Sequence, residues 1–145
     1  MENTYKNILV AVDGSDEAKA ALRKACEIAK QHDAMLTIAH VIDTRSFATV
    51  EQYDRTVLTR AEEYGTELLA QHKTDAEEAG ATNIKTVLDF GSPKVKISKE
   101  IAKNEGVDLI VTGATGLNAV ERFLIGSVSE AIIRSASCDV LIVRK

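Results

Sequence analysis

The sequence predicts an open, twisted α/β fold: a five-stranded parallel sheet in the order 3-2-1-4-5 with helices on both faces. Three observations lead there. Short apolar runs alternate with helix-length segments, giving β-α-β-α-β-α-β-α-β. Right-handed crossovers leave few layouts for such a chain. The first and fourth strands are the most uniformly apolar and so central, whereas the third alternates apolar with polar and belongs at an edge. The alternative order 2-1-3-4-5 would bury that third strand.

The elements follow in chain order. "NILVAV" at 7–12 is a β-branched run suited to a strand covered on both faces. Asp13-Gly14-Ser15 makes a turn, and Ser15 or Asp16 caps the next helix. Ala18, Ala21, Leu22, Ala25 and Ala29 fall on one stripe of that helix. "MLTIAHVI" at 35–42 is the second strand. A ragged loop runs to about Phe47. Then Val50, Tyr53, Val57, Ala61, Tyr64 and Leu68 recur at three or four along a charge-rich helix that ends at Gly80. "NIKTVLD" at 83–89 is the amphipathic third strand. Ser92 at N-cap, Pro93 at the first helical position and Gly106 past the end punctuate the third helix. "VDLIVTG" at 107–113, a helix over "SVSEAIIRSA" and a last strand in "CDVLIVRK" complete the chain.

The totals narrow the function. The 145 residues suit one domain, 1–145, with a single core. Net charge is −4 and the isoelectric point is near 5.4, so no basic nucleic-acid footprint is present. An anion must be held by local donors rather than by the overall field. No apolar run has the length of a membrane span. The start, "MENTYKNILVAV", lacks the flank and cleavage site of a secretory signal. Cys26 and Cys138 are isolated thiols that suit a reducing cytoplasm, as small packed hydrophobes. Cytoplasmic location is therefore the expectation.

In a sheet of this order, ligands bind beyond the carboxyl ends of the strands where the order reverses, here between strands 1 and 4. Asp13 and Thr112-Gly113 leave those strands. Gly113 and Gly116 allow positive φ and an unobstructed nest of N–H donors suited to phosphate oxygens. Gly126 precedes a helix start at Ser127, whose first amides and dipole favour an anion. Ser127 and Ser129 add hydroxyls, and Arg122 a charge. A plainer reading stays open: Ser127-x-x-Glu130 is also a capping box, with Gly126 closing a short helix at 118–125. Asp13 likewise either shapes the first turn or accepts bonds from ribose hydroxyls. "DGSDEA" contains neither GxGxxG nor GxxxxGK[ST], which excludes those two phosphate loops.

Gly113-Ala114-Thr115-Gly116, nine residues, then Gly126-Ser127 resembles the G-x2-G-x9-G-[ST] signature of the universal stress protein family, in its nucleotide-binding branch. "ILVAVDGSDEA", "GSP", "DLIVTGATG" and "GSVSEAIIRSASCDVLIVRK" extend the resemblance over nearly the whole chain. Some members of that family lack the glycines and do not bind ATP; this chain keeps them. The resemblance implies a Rossmann-like fold of the adenine nucleotide alpha hydrolase type. It implies ATP in the cleft, with Mg²⁺ held mainly by phosphates and water. Asp13 would hold the ribose. Gly113, Ala114, Gly116, Gly126, Ser127, Val128 and Ser129 would surround the phosphates, and the backbone at Ala11 and Val41 would touch adenine. It also implies a homodimer through the last strand, 139–144. That strand is strongly apolar for a sheet edge, which independently favours pairing with a second copy over burial within one chain.

Three functions compete. A nucleotide-binding signalling module for stress comes first, because no side-chain cluster for a catalytic metal stands out and His32, His40 and His72 are scattered. An ATP-hydrolysing or ATP-using enzyme of related fold is the alternative. A phosphoacceptor receiver would need Asp13, Asp89, Thr112 and Lys145 to converge. Nothing in the sequence identifies a downstream protein partner.

Overall fold

The computed structural model describes residues 4–44, 55–115 and 125–145. The loop to Phe47, Val50, Tyr53, Gly116, Arg122 and most of the alternative helix at 118–125 lie outside the described residues.

Strands β1 (Asn7–Ala11), β2 (Met35–Asp43), β3 (Ile84–Gly91), β4 (Leu109–Gly113) and β5 (Asp139–Val143) form one sheet in the order β3-β2-β1-β4-β5. Every pairing is parallel, as expected. All five residues of β4 are buried, as is the centre of β1. β3 has no buried residue and sits at the edge its alternating pattern demanded.

Helices α1 (Asp16–His32) and α2 (Arg55–Glu78) cover one face. The stripe Ala18, Ala21, Leu22, Ala25, Ala29 packs there with Ile8, Val10, Ile38 and Val111. Ser15 caps α1, its hydroxyl oxygen accepting the Ala18 amide at 3.1 Å. α2 closes in a Schellman motif. The Gly80 amide donates to the Glu77 carbonyl and the Ala81 amide to that of Ala76, both at 3.0 Å, with Gly80 at φ +100°.

Helix α3 covers the other face together with α4 (Ser127–Ser135). α3 consists of helical Pro93–Val95, a π-helical stretch Lys96–Ile101 and helical Ala102–Asn104. The spacing predicted a regular helix here. The wider turn keeps Ile97, Ser98 and Ile101 buried together. It also brings the Ser98 hydroxyl 2.7 Å from that of Ser135 on α4, a tertiary bond that local spacing does not encode. Among the described residues no helix is long and apolar enough to cross a membrane.

One buried group is unusual. His72 lies on the inner stripe of α2 with Gly65, Leu69 and Ala76, and is only 2 % exposed. Among the described residues neither ring nitrogen has a hydrogen-bond partner, and Asp75 lies 3.6 Å from Nδ1. Burial pushes its pKa below the usual 6.5, outweighing the upward pull of Asp75. The unfolded chain therefore takes up a proton at a higher pH than the native one. Stability is retained above pH 6.5 and falls as the pH drops below it, at up to about 1.4 kcal/mol per pH unit. Replacing His72 by Leu removes this component. Urea midpoints of the two proteins should diverge between pH 7 and pH 5, the native chain losing more; equal losses would contradict it.

Candidate functional site

β1 and β4 are neighbours at the centre of the sheet, and β2 and β5 continue it in opposite directions. The topology places the expected crevice at the carboxyl ends of these two strands.

On the β1 side the chain turns at Asp13, Gly14 and Ser15. Asp13 Oδ1 accepts the Ser15 amide at 3.0 Å and the Ser15 hydroxyl at 2.6 Å. That hydroxyl oxygen in turn receives the Ala18 amide. One oxygen of Asp13 thus shapes the turn, and Oδ2 takes part in neither bond. The two readings of Asp13 are compatible, because a carboxylate has two oxygens with about four lone-pair sites. Gly14 has φ +89°, and the hydroxyl end of Tyr64 fills the space a β-carbon would need. Ala11 and Val41 lie on the sheet face covered by α3 and α4, in the same apolar cluster as Val128.

On the β4 side the glycine segment differs in part from expectation. Gly113 is a strand residue and is absent from the positive-φ glycines. A β-carbon there would stand 2.8 Å from Glu17 Cβ and 3.1 Å from the Glu17 carbonyl carbon. The position is glycine because α1 lies directly against it. The Ala114 amide donates to the Val143 carbonyl at 3.0 Å, and the Gly126 amide to the Ala114 carbonyl at 2.7 Å. The Ser129 hydroxyl donates to the Gly113 carbonyl at 2.5 Å and is buried. The donors of Ala114, Gly126 and the Ser129 side chain are therefore engaged within the fold.

The head of α4 is different. Its N-cap is Gly126, with φ −65° and ψ 159°, which has no side chain to cap the helix. The expected capping box needs Ser127 at the N-cap, but Ser127 is the first helical residue, one position late. The first intrahelical bond runs from Glu130 to Gly126, at 2.9 Å. The amides of Ser127, Val128 and Ser129 have no partner within the helix, and the helix dipole adds partial positive charge there. Ser127 itself is exposed.

The receiver constellation does not assemble. Asp89 lies on β3, two strands from β1, with Lys96 3.7 Å away. Lys145 pairs with Asp16 at 3.2 Å. Burial raises the Cys26 and Cys138 thiols above their ordinary value, which disfavours thiolate chemistry. Among the described residues no three His, Cys, Asp or Glu side chains gather as a metal site. Sequence reasoning passed over His40. Its Nδ1 stands 2.9 Å from the Val12 carbonyl at the same turn, and the available signal was one polar residue inside an apolar strand.

Residues 4–144 match the model of the Universal stress protein family. The chain belongs to that family. The universal stress protein relative SH1215 of Staphylococcus haemolyticus is 54% identical over 141 residues, covering 97% of this chain and 86% of its own length. Universal stress protein UspA from Lactobacillus plantarum superimposes with a TM-score of 0.87 at 32% identity, covering 99% of this chain and 100% of that one. A universal stress protein crystallised in complex with cAMP does so with a TM-score of 0.73 at 29% identity, covering 98% of each.

The Gly113 contact gives a direct check on this universal stress protein chain. Gly113→Ala should push α1 off β4 and cost about 1–3 kcal/mol in urea unfolding, the usual cost of overpacking.

Proposed function

We propose that this chain is an ATP-binding universal stress protein, a single-domain module that reports nucleotide occupancy to a partner in the stress response. One observation carries the reading: the head of α4, where the N-cap Gly126 has no side chain and the amides of Ser127, Val128 and Ser129 have no partner within the helix, stands at the exit of β4. A helix start of this kind suits phosphate oxygens. In a chain of net charge −4 these local dipoles provide the attraction that the overall field does not.

Asp13 Oδ2 accepts the ribose hydroxyls, while Oδ1 keeps the turn closed. Adenine lies toward Ala11 and Val41, on the face they share with Val128. Gly113, Ala114 and Gly126 contribute shape rather than donors, since Ala114 and Gly126 spend their amides within the fold and Gly113 lies against α1. Gly116 lies outside the described residues. Mg²⁺ is carried by the phosphates and water. The universal stress protein solved with cAMP supports an adenine nucleotide as the ligand class. β5 leaves an apolar sheet edge at Asp139–Val143, and pairing of 139–144 with a second copy closes a homodimer.

Calorimetry tests the site. Ser127→Pro deletes one amide at the first helical position, where proline fits the helix, and Gly126 already has the extended backbone that precedes proline. ATP affinity should fall by about 1.5–3 kcal/mol relative to Ser127→Ala, with the fold intact. Asp13→Ala should weaken ATP by roughly 1–3 kcal/mol. Unchanged affinity in both variants would sink the reading. Rapid multiple turnover with excess ATP and Mg²⁺ would mark an enzyme instead of a binder.

A further inference from the structure

The turn that carries Asp13 is held from behind by residues outside the proposed nucleotide site. His40 lies on β2, next to β1. Its Nδ1 is 2.9 Å from the Val12 carbonyl oxygen. A carbonyl only accepts, so Nδ1 carries the proton and donates. That carbonyl belongs to the peptide joining Val12 to Asp13. Because the peptide is planar, fixing the direction of the oxygen also fixes the Asp13 amide and the start of its backbone.

The ring of His40 is itself seated. Gly65 of α2 rests on it: a β-carbon at Gly65 would stand 2.9 Å from His40 Cδ2 and 2.8 Å from Leu88 Cδ1. His40 and Leu88 are register partners across β2 and β3, so Gly65 sits over that pair. Tyr64, the preceding residue, meets the His40 ring edge-on, with centroids 6.2 Å apart and planes at 71°. Its hydroxyl end abuts Gly14, one residue beyond Asp13. The Val12–Ser15 turn is thus gripped at Val12 by His40 and at Gly14 by Tyr64.

We infer that His40, seated by Tyr64 and Gly65 of α2, is a positioning residue that orients Asp13 for the ribose of a bound nucleotide. This rests on the ATP-binding reading above. It adds a physical link from the site to α2, since any shift of the Val12–Asp13 peptide on binding is felt by the His40 ring and by the helix lying on it.

Calorimetry with two probes tests it, ATP and inorganic tripolyphosphate, on the full chain. His40→Phe keeps an aromatic ring and removes the donor. ATP affinity should fall roughly fivefold, the value of one ordinary hydrogen bond. Tripolyphosphate, which has no ribose, should bind the variant as it binds the native chain. His40→Asn places an amide nitrogen where Nδ1 stood and should restore ATP affinity, which a merely structural role would not produce. In an Asp13→Ala background His40→Phe should have no further effect, because coupled residues are not additive. Should His40→Phe fail to fold, His40→Gln, whose amide lies one bond further out, replaces it with the same expectation. Native ATP affinity in the variant, or an equal loss for both probes, overturns this inference and leaves the ATP-binding reading standing. A native chain that binds no ATP overturns both.

Discussion

A pair of backbone hydrogen bonds organises the site. Ala114 donates to Val143 on β5 and accepts from Gly126 at the head of α4. The exit of β4, the end of β5 and the start of α4 are thereby tied at one residue, and the Ser129 hydroxyl adds a second tie to Gly113. These bonds consume donors that would otherwise face the crevice. They also fix the start of the helix that carries the next amides, of Ser127, Val128 and Ser129, behind an N-cap glycine with no side chain. Fixed donors lose little freedom on binding, which is what makes a helix head effective toward an anion.

The sheet order makes this arrangement useful. Since β1 and β4 are adjacent and parallel, the carboxylate leaving one strand and the amides following the other stand at the same end of the sheet. Close approach of α1 to β4 supports it, and Gly113 is the position that permits the approach. The two sides are built differently. The β4 side is almost entirely backbone, while the β1 side depends on one carboxylate whose turn is held by Ser15, His40 and Tyr64. Side-chain substitutions should therefore be felt mostly around β1 and changes of loop shape mostly around β4.

Much of the fold was legible because each strand has a long-range role that leaves a local mark. β1 and β4 are covered on both faces and are the most uniformly apolar; β3 is half-wet and alternates. The helix stops at Gly80 and Gly106 were legible because positive φ is a local requirement. The site was legible in position more than in detail. Ser127 and Glu130 have capping-box spacing, yet the helix begins one residue earlier than the box requires, with Gly126, tied to Ala114, as its N-cap. Gly113 read as a positive-φ member of an anion nest and is a packing glycine, a distinction that depends on where Glu17 lies. The π-helical stretch of α3 depends likewise on Ser98 meeting Ser135 of another helix.

Periodicity and turn chemistry alone determined the alternation of strands and helices, the parallel sheet, and its central and edge strands. These follow from burial and from φ preferences, which act on each residue within its own element. Only the tertiary structure decided which amides are engaged within the fold, why Gly113 has no side chain, and that His40 meets the Val12 carbonyl at the turn. Each of these depends on a partner distant along the chain: Val143 for Ala114, Glu17 for Gly113, and Val12 for His40. A hydrogen bond or a close contact is specified by both of its ends, and no local pattern holds both.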